Sequence, residues 1–223
     1  MKTNCIRLSL LLFIIIGINT LCHAQNDEER AAKGKEILDK SSARTKSYAN
    51  ISTNFTLTIE NKQARTIDNF DGSLRSQGEK YHLSIMNTET YFDGKVIYAW
   101  SKDNHEVTIS LPDDSNSGFM TPQQILGRFD DSYKILFIDE IEIEKRVCNE
   151  VDLYPIDRHT GITRIRLFID KQTSNIKSII QQNKDGNIYT VKINTFDTKT
   201  PLTDSEFTFD KKANPSVEII DMR

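Results

Sequence analysis

Beyond an apolar leader, the groups of this chain that could do chemistry are three histidines, one cysteine and many carboxylates. Their spacing matches none of the familiar reactions. His82, His105 and His159 are scattered, with no HExxH and no other pairing at zinc-ligand distance. No G-x-S-x-G elbow presents a nucleophilic serine, and no glycine-rich loop could cradle a phosphate. Cys148 stands in a strand-like run and reads as a small buried hydrophobe. Asp139-Glu140-Ile141-Glu142-Ile143-Glu144 alternates charge with isoleucine, the pattern of a protected sheet edge rather than of a matched acid and base. No catalytic residue, metal or cofactor is therefore expected.

The leader itself occupies residues 1–24. Lys2 and Arg7 precede the apolar stretch Leu8 to Ile18, and the polar segment Asn19 to Ala24 follows, the layout of a secretory signal peptide too short to span a bilayer. A cut after Ala24 makes Gln25 the mature start. Leu21, where a lipoprotein signal wants a small residue, argues against lipidation of Cys22. Residues 25–223 then form one domain of a soluble, exported monomer. With Lys2 and Arg7 removed, 27 basic residues face 32 acidic ones, a net charge of −5. No basic stripe exists to neutralise a nucleic-acid backbone. Cys148 is the only cysteine left, so burial alone must hold the fold.

Period and turn residues define the elements. Asn26 to Thr45 reads as a helix with Asp27, Glu28 and Glu29 at its positive end and a narrow apolar stripe that includes Ile37 and Leu38. From Tyr48 the period changes to two: Ile51, Thr53, Phe55, Leu57 and Ile59 alternate with polar residues, as a half-buried strand requires. Phe70, Gly72 and Leu74 continue in step on a second strand, and Tyr81, Leu83 and Ile85 on a third. TYFDGKVIYAW, Thr90 to Trp100, reads as a hairpin about an Asp93-Gly94 type I′ turn. Val107, Ile109 and Leu111 follow. After the polar loop Pro112 to Gly118, Thr121-Pro122-Gln123-Gln124 starts a short helix. This segment is either a lid or a plain crossover, and periodicity leaves both open. Strands resume at Tyr133–Ile138, Val147–Tyr154, Thr163–Ile169, Ile176–Gln182 and Ile188–Phe196, about eleven in all.

A β-rich exported domain with many inward aliphatics and little catalytic chemistry is best suited to binding something apolar. An acyl chain left in water is unfavourable by about 0.8 kcal/mol per methylene. The expected lining is Phe55, Leu57, Phe70, Leu83, Ile85, Tyr98, Trp100 and Ile109. The expected lid is Phe119, Met120, Ile125, Leu126 and Phe129.

Three stretches carry a resemblance to the periplasmic outer-membrane lipoprotein carrier LolA and its relatives. They are Ile37-Leu38-Asp39-Lys40 through Tyr48 to Phe55; Phe70-Asp71-Gly72-Ser73-Leu74 followed by Phe92-Asp93-Gly94-Lys95-Val96-Ile97-Tyr98; and the tail Pro201 to Phe209 with Pro215 to Asp221. The resemblance implies a mainly β (α+β) fold, an unclosed antiparallel half-barrel with helices covering its concave face. It implies a periplasmic carrier that takes lipoproteins by their acyl chains from an inner-membrane lipoprotein-releasing ABC transporter and passes them to an outer-membrane acceptor. Proteobacterial relatives carry an Arg, usually before Pro, between the second and third strands; here that turn is Ser76-Gln77-Gly78-Glu79, with Arg75 and Lys80 flanking it. The alternatives are a periplasmic lipid- or protein-sensing regulator on the same scaffold and an exported lipid hydrolase, for which no nucleophile motif is present.

Overall fold

The period-two run that begins at Ile51 lies near the middle of a broad sheet, with a helix across one of its faces. The computed structural model describes residues 26–112, 121–122, 126, 129 and 131–223. Helix α1 spans 26–46. Gly34, Leu38, Ser41 and Thr45 fall three or four residues apart and form its buried stripe. The strands are β1 (Ile51–Asn61), β2 (Thr66–Gln77), β3 (Lys80–Ile85), β4 (Thr88–Phe92), β5 (Ile97–Ser101) and β6 (Glu106–Ser110), then β7 (Tyr133–Ile143), β8 (Arg146–Pro155), β9 (Ile162–Asp170), β10 (Ile176–Asn183), β11 (Asn187–Asp197) and β12 (Glu218–Asp221). Among the described residues these twelve make one sheet in the order β12-β6-β5-β4-β3-β2-β1-β11-β10-β9-β8-β7, open between β12 and β7. The mainly β, unclosed architecture is the expected one, with one strand more than the eleven read from the sequence.

Short links keep consecutive strands antiparallel neighbours. Met86 and Asn87, both at positive φ, turn β3 into β4. The Asp93-Gly94 hairpin is wider than a two-residue turn: Phe92 pairs with Ile97, and the Asp93 carboxylate accepts the backbone N–H groups of Lys95 and Val96. Two features depart from a plain meander. The chain leaves β6 near one edge and re-enters as β7 at the opposite edge. At the end, β12 joins β6 in parallel. The alternating carboxylates of Asp139 to Glu142 lie on β7, which is an edge strand as their pattern implies.

Registers assign every side chain to a face. The inner face carries Ile51, Phe55 and Leu57 of β1, Leu74 of β2, Tyr81 and Leu83 of β3, Val191 and Ile193 of β11, Ile179 of β10, Ile165 and Leu167 of β9, and Val151 and Leu153 of β8, one continuous core that takes in Leu38 of α1. Each large side chain buried there stabilises by about 1.5–3 kcal/mol. Gly34 lets α1 sit on the β7 backbone: a Cβ there would lie 2.7 Å from the Phe137 nitrogen. The Arg30 Nε–H donates to the Phe137 carbonyl at 3.0 Å, and Lys33 Nζ stands 3.6 Å above the Phe137 ring.

The other face is not simply wet. A short 3-10 helix, Asp204–Phe207, contacts β3 and β4. Phe207 and Val217 are buried in the tail, and Phe209 meets Trp100 edge-on at 5.5 Å. Arg75 pairs with Glu206 and Lys80 with Asp204. The two cations flanking the Ser76 to Glu79 turn therefore hold the tail.

Candidate functional site

Five of the eight residues expected to line one site share the inner face. Phe55, Leu57 and Leu83 are buried in its core, and Phe70 and Ile85 are half-buried against it. Gly72 makes room for the Phe55 ring, whose Cζ lies 2.5 Å from where a Cβ would stand. Tyr98, Trp100 and Ile109 are on the opposite face, which corrects the expectation. Leu83 pairs with Thr90 and Thr90 with Ala99, so the inner positions of β5 are Ile97, Ala99 and Ser101. Tyr98 pairs with Tyr91 and Ile109, and Trp100 with Glu89 and Val107. Hydrophobicity misled here because the tail buries this end of the outer face as well.

Of the expected lid, Phe119, Met120 and Ile125 lie outside the described residues. Leu126 is buried in the inner core, and Phe129 packs edge-on against Tyr133 at 5.9 Å. Leu126 and Phe129 of the connection from β6 to β7 thus lie on the inner side of the sheet. Gly34 and Arg30 of α1 meet β7 on the other half, and just after the helix the Tyr48 ring meets Phe196 of β11 at 5.7 Å. A crevice of about 10 Å³ remains between Thr45, Leu126 and the sheet, about the room one water needs. On β3 to β5 the inner face runs through Ile85, Phe92 and Ile97, all half-buried apolar side chains, beside the small Thr90 and Ala99.

The outer face holds chemistry that the sequence did not announce. Glu89 is buried and accepts from Ser84 Oγ at 3.1 Å and from Lys102 Nζ at 2.7 Å, and it bonds His82 Nε2. His82 stacks on Tyr91 with ring centroids 4.2 Å apart. Burial works to raise the Glu89 pKa, but the Lys102 and His82 contacts outweigh it and hold the carboxyl below its usual range. Burial, with the Glu89 charge nearby, pushes the Tyr91 phenol up to about 12. Serine and histidine both point at the carboxylate rather than at each other, so this is a Glu-centred node and not a nucleophilic triad. The Met86-Asn87 turn, which sets Ser84 opposite Glu89, was its signal.

A second node lies on β8 and β9. Arg166 grips Asp152 through Nε at 2.6 Å and through a second guanidinium nitrogen at 2.8 Å, with Arg164 and Tyr154 also on that carboxylate. Burial opposes the Asp152 charge, yet the Arg166 contacts hold its pKa low. Cys148 is fully buried, which pushes its thiol pKa up, in keeping with a packing role.

The geometry is that of an open, mainly antiparallel sheet with an apolar inner face, a helix across part of it, and no nucleophilic triad among the described residues. No family model matches the chain, and no curated protein does. Solved structures share its fold. An uncharacterized conserved protein from Thermus thermophilus aligns with a TM-score of 0.55 at 12% identity, covering 85% of this chain and 99% of that one. The LolA superfamily protein NE2245 from Nitrosomonas europaea aligns at 0.47 and 13% identity, over 79% and 97%. A putative outer membrane lipoprotein-sorting protein domain from Vibrio parahaemolyticus gives 0.47 and 12%, over 82% and 99%. At 12–13% identity the likeness to these solved structures concerns the fold alone.

Proposed function

We propose that the protein is a periplasmic carrier that binds the acyl chains of lipoproteins against the inner face of the sheet. The observation that supports this most is the half-buried apolar strip Ile85, Phe92 and Ile97, continuous with the core at Tyr81 and Leu83 and lying away from the contacts of α1. Acyl chains laid there leave water with the gain of about 0.8 kcal/mol per methylene. Phe55, Leu57 and Phe70 form the floor behind the strip. Leu126 and Phe129 stand on the same inner side of the sheet. The chain acts without a cofactor and is no enzyme. Its donor is an inner-membrane lipoprotein-releasing ABC transporter and its acceptor lies at the outer membrane. A leader of residues 1–24 sends it to the periplasm.

Mass spectrometry of the protein purified from the periplasm tests this reading, with transfer of a bound triacylated lipopeptide to acceptor vesicles as the second measurement. Co-purified acylated species and release to vesicles are expected. Retention without release would make it a sensor, and turnover of a lipid ester would make it a hydrolase. Absence of any acylated ligand, with no binding of the lipopeptide, would overturn the reading.

A further inference from the structure

The outer face carries a polar groove that the inner-face reading does not use. Two cavities of about 410 and 420 Å³ adjoin there and share Asn54 and Ser73. Both volumes fall within the range of small-ligand sites. Two cross-strand rows form the floor. Asp197, Ser52 and Arg75 make one; Thr195, Asn54, Ser73 and Ser84 make the next. Thr200, Pro201, Leu202 and Glu206 wall one end, where the tail comes off β11.

Partners already present narrow the ligand class. Glu206 is engaged by Arg75 at 3.2 Å and by the Thr203 backbone N–H at 3.0 Å. Asp197 accepts from the Lys199 backbone N–H at 2.9 Å and from the Thr200 hydroxyl. Asp71 accepts from Thr56 Oγ1 at 3.1 Å, and Ser84 is committed to Glu89. Among the described residues, the side chains of Ser52, Asn54 and Ser73 have no such partner. The uncommitted groups are thus two hydroxyls and an amide, side by side on paired strands about 4.8 Å apart. An anion would meet three carboxylates against one guanidinium. No three His, Cys, Asp or Glu among the described residues are placed to hold a metal ion. An apolar ligand would bury hydroxyls and an amide without hydrogen-bond partners, which opposes its binding.

We propose that this groove binds a neutral polyhydroxylated ligand, a saccharide or polyol of similar size, through Ser52, Asn54 and Ser73. Vicinal hydroxyls both donate and accept, and so do these three side chains. The site is independent of acyl binding on the inner face.

The test is an amide-resolved NMR titration of the whole purified chain with maltotriose and with chitotriose, and with phosphate and spermine as charged probes. Saturable shifts confined to Ser52, Asn54, Ser73 and Thr195 are expected with at least one trisaccharide. Asn54→Ala and Ser73→Ala should each weaken binding about fivefold, the worth of one net hydrogen bond. If Asn54→Ala disturbs the sheet, Asn54→Leu keeps the size without the amide and should show the same loss. Shifts absent from these amides with both trisaccharides, binding that survives the substitutions, or a preference for phosphate or spermine would overturn the proposal.

Discussion

Glu89 is the centre of one of the protein's buried polar clusters. Its carboxylate holds His82, Ser84 and Lys102 together on the outer face. Because its folded pKa lies below the ordinary 4.5, the unfolded chain binds a proton in the acid range that the folded chain does not. Its stabilisation is therefore complete above about pH 4.5 and is lost as the pH falls through the lower folded value. Glu89→Gln should cost about 1–3 kcal/mol at neutral pH, by leaving charged partners poorly matched, and should flatten the acid limb of denaturant midpoint against pH. Tyr91 runs the other way. Its phenol is raised to about 12, so the stability it confers is intact below pH 10 and disappears between 10 and 12. Ultraviolet titration should show the late phenol in the native protein and an earlier one in Glu89→Gln. An unchanged Tyr91 titration in that variant would mean that burial alone sets it.

Between elements, two glycines set how closely the backbone can approach. Gly34 places α1 directly on β7, with Arg30 and Lys33 closing around Phe137. Gly72 places β2 over the ring of Phe55. The obstacle differs: at Gly34 it is backbone that cannot swing away, at Gly72 a ring with nowhere to go. Gly72→Ala should destabilise by about 1–3 kcal/mol, as overpacking of a filled core does. Gly34→Ala should destabilise similarly while loosening α1 selectively, seen as faster amide exchange in residues 30–46 than in β1. Equal acceleration in both elements would show that the helix and the sheet open together.

At the scale of the whole molecule, the sheet is used on both faces at one end, with the tail on the outer side and the proposed acyl site on the inner. Trp100 reports the outer side, through Phe209. Phe209→Ala should shift Trp100 emission to the red, whereas a saturating lipopeptide should leave it unchanged. A blue shift on lipopeptide binding would place acyl chains under the tail instead. Phe207 is fully buried, and Phe207→Ala should cost about 3–5 kcal/mol by calorimetry or denaturant unfolding.

The sequence by itself determined the local rules: helix stripe, period-two strands, a glycine at positive φ in the turn at Gly94, and an edge strand protected by carboxylates. These depend on contacts within a few residues, and the strands around Phe55, Leu83 and Val191 follow them. Tertiary structure decided what lies over each face. Alternation states that Leu83 and Tyr98 each lie on an apolar side of their strands, but each turn with an even number of residues swaps the parity of the inward positions. From Leu83 the inner row passes to Thr90 and then to Ala99, not to Tyr98 or Trp100. A solvated outer face would have shown that shift as polarity. Phe207, Phe209 and Val217, about a hundred residues later in the chain, removed the contrast by burying that face too. Distance along the chain also hid the groove at Asn54 and Ser73, because Thr195, Thr200 and Glu206 reach it only once β11 has paired with β1.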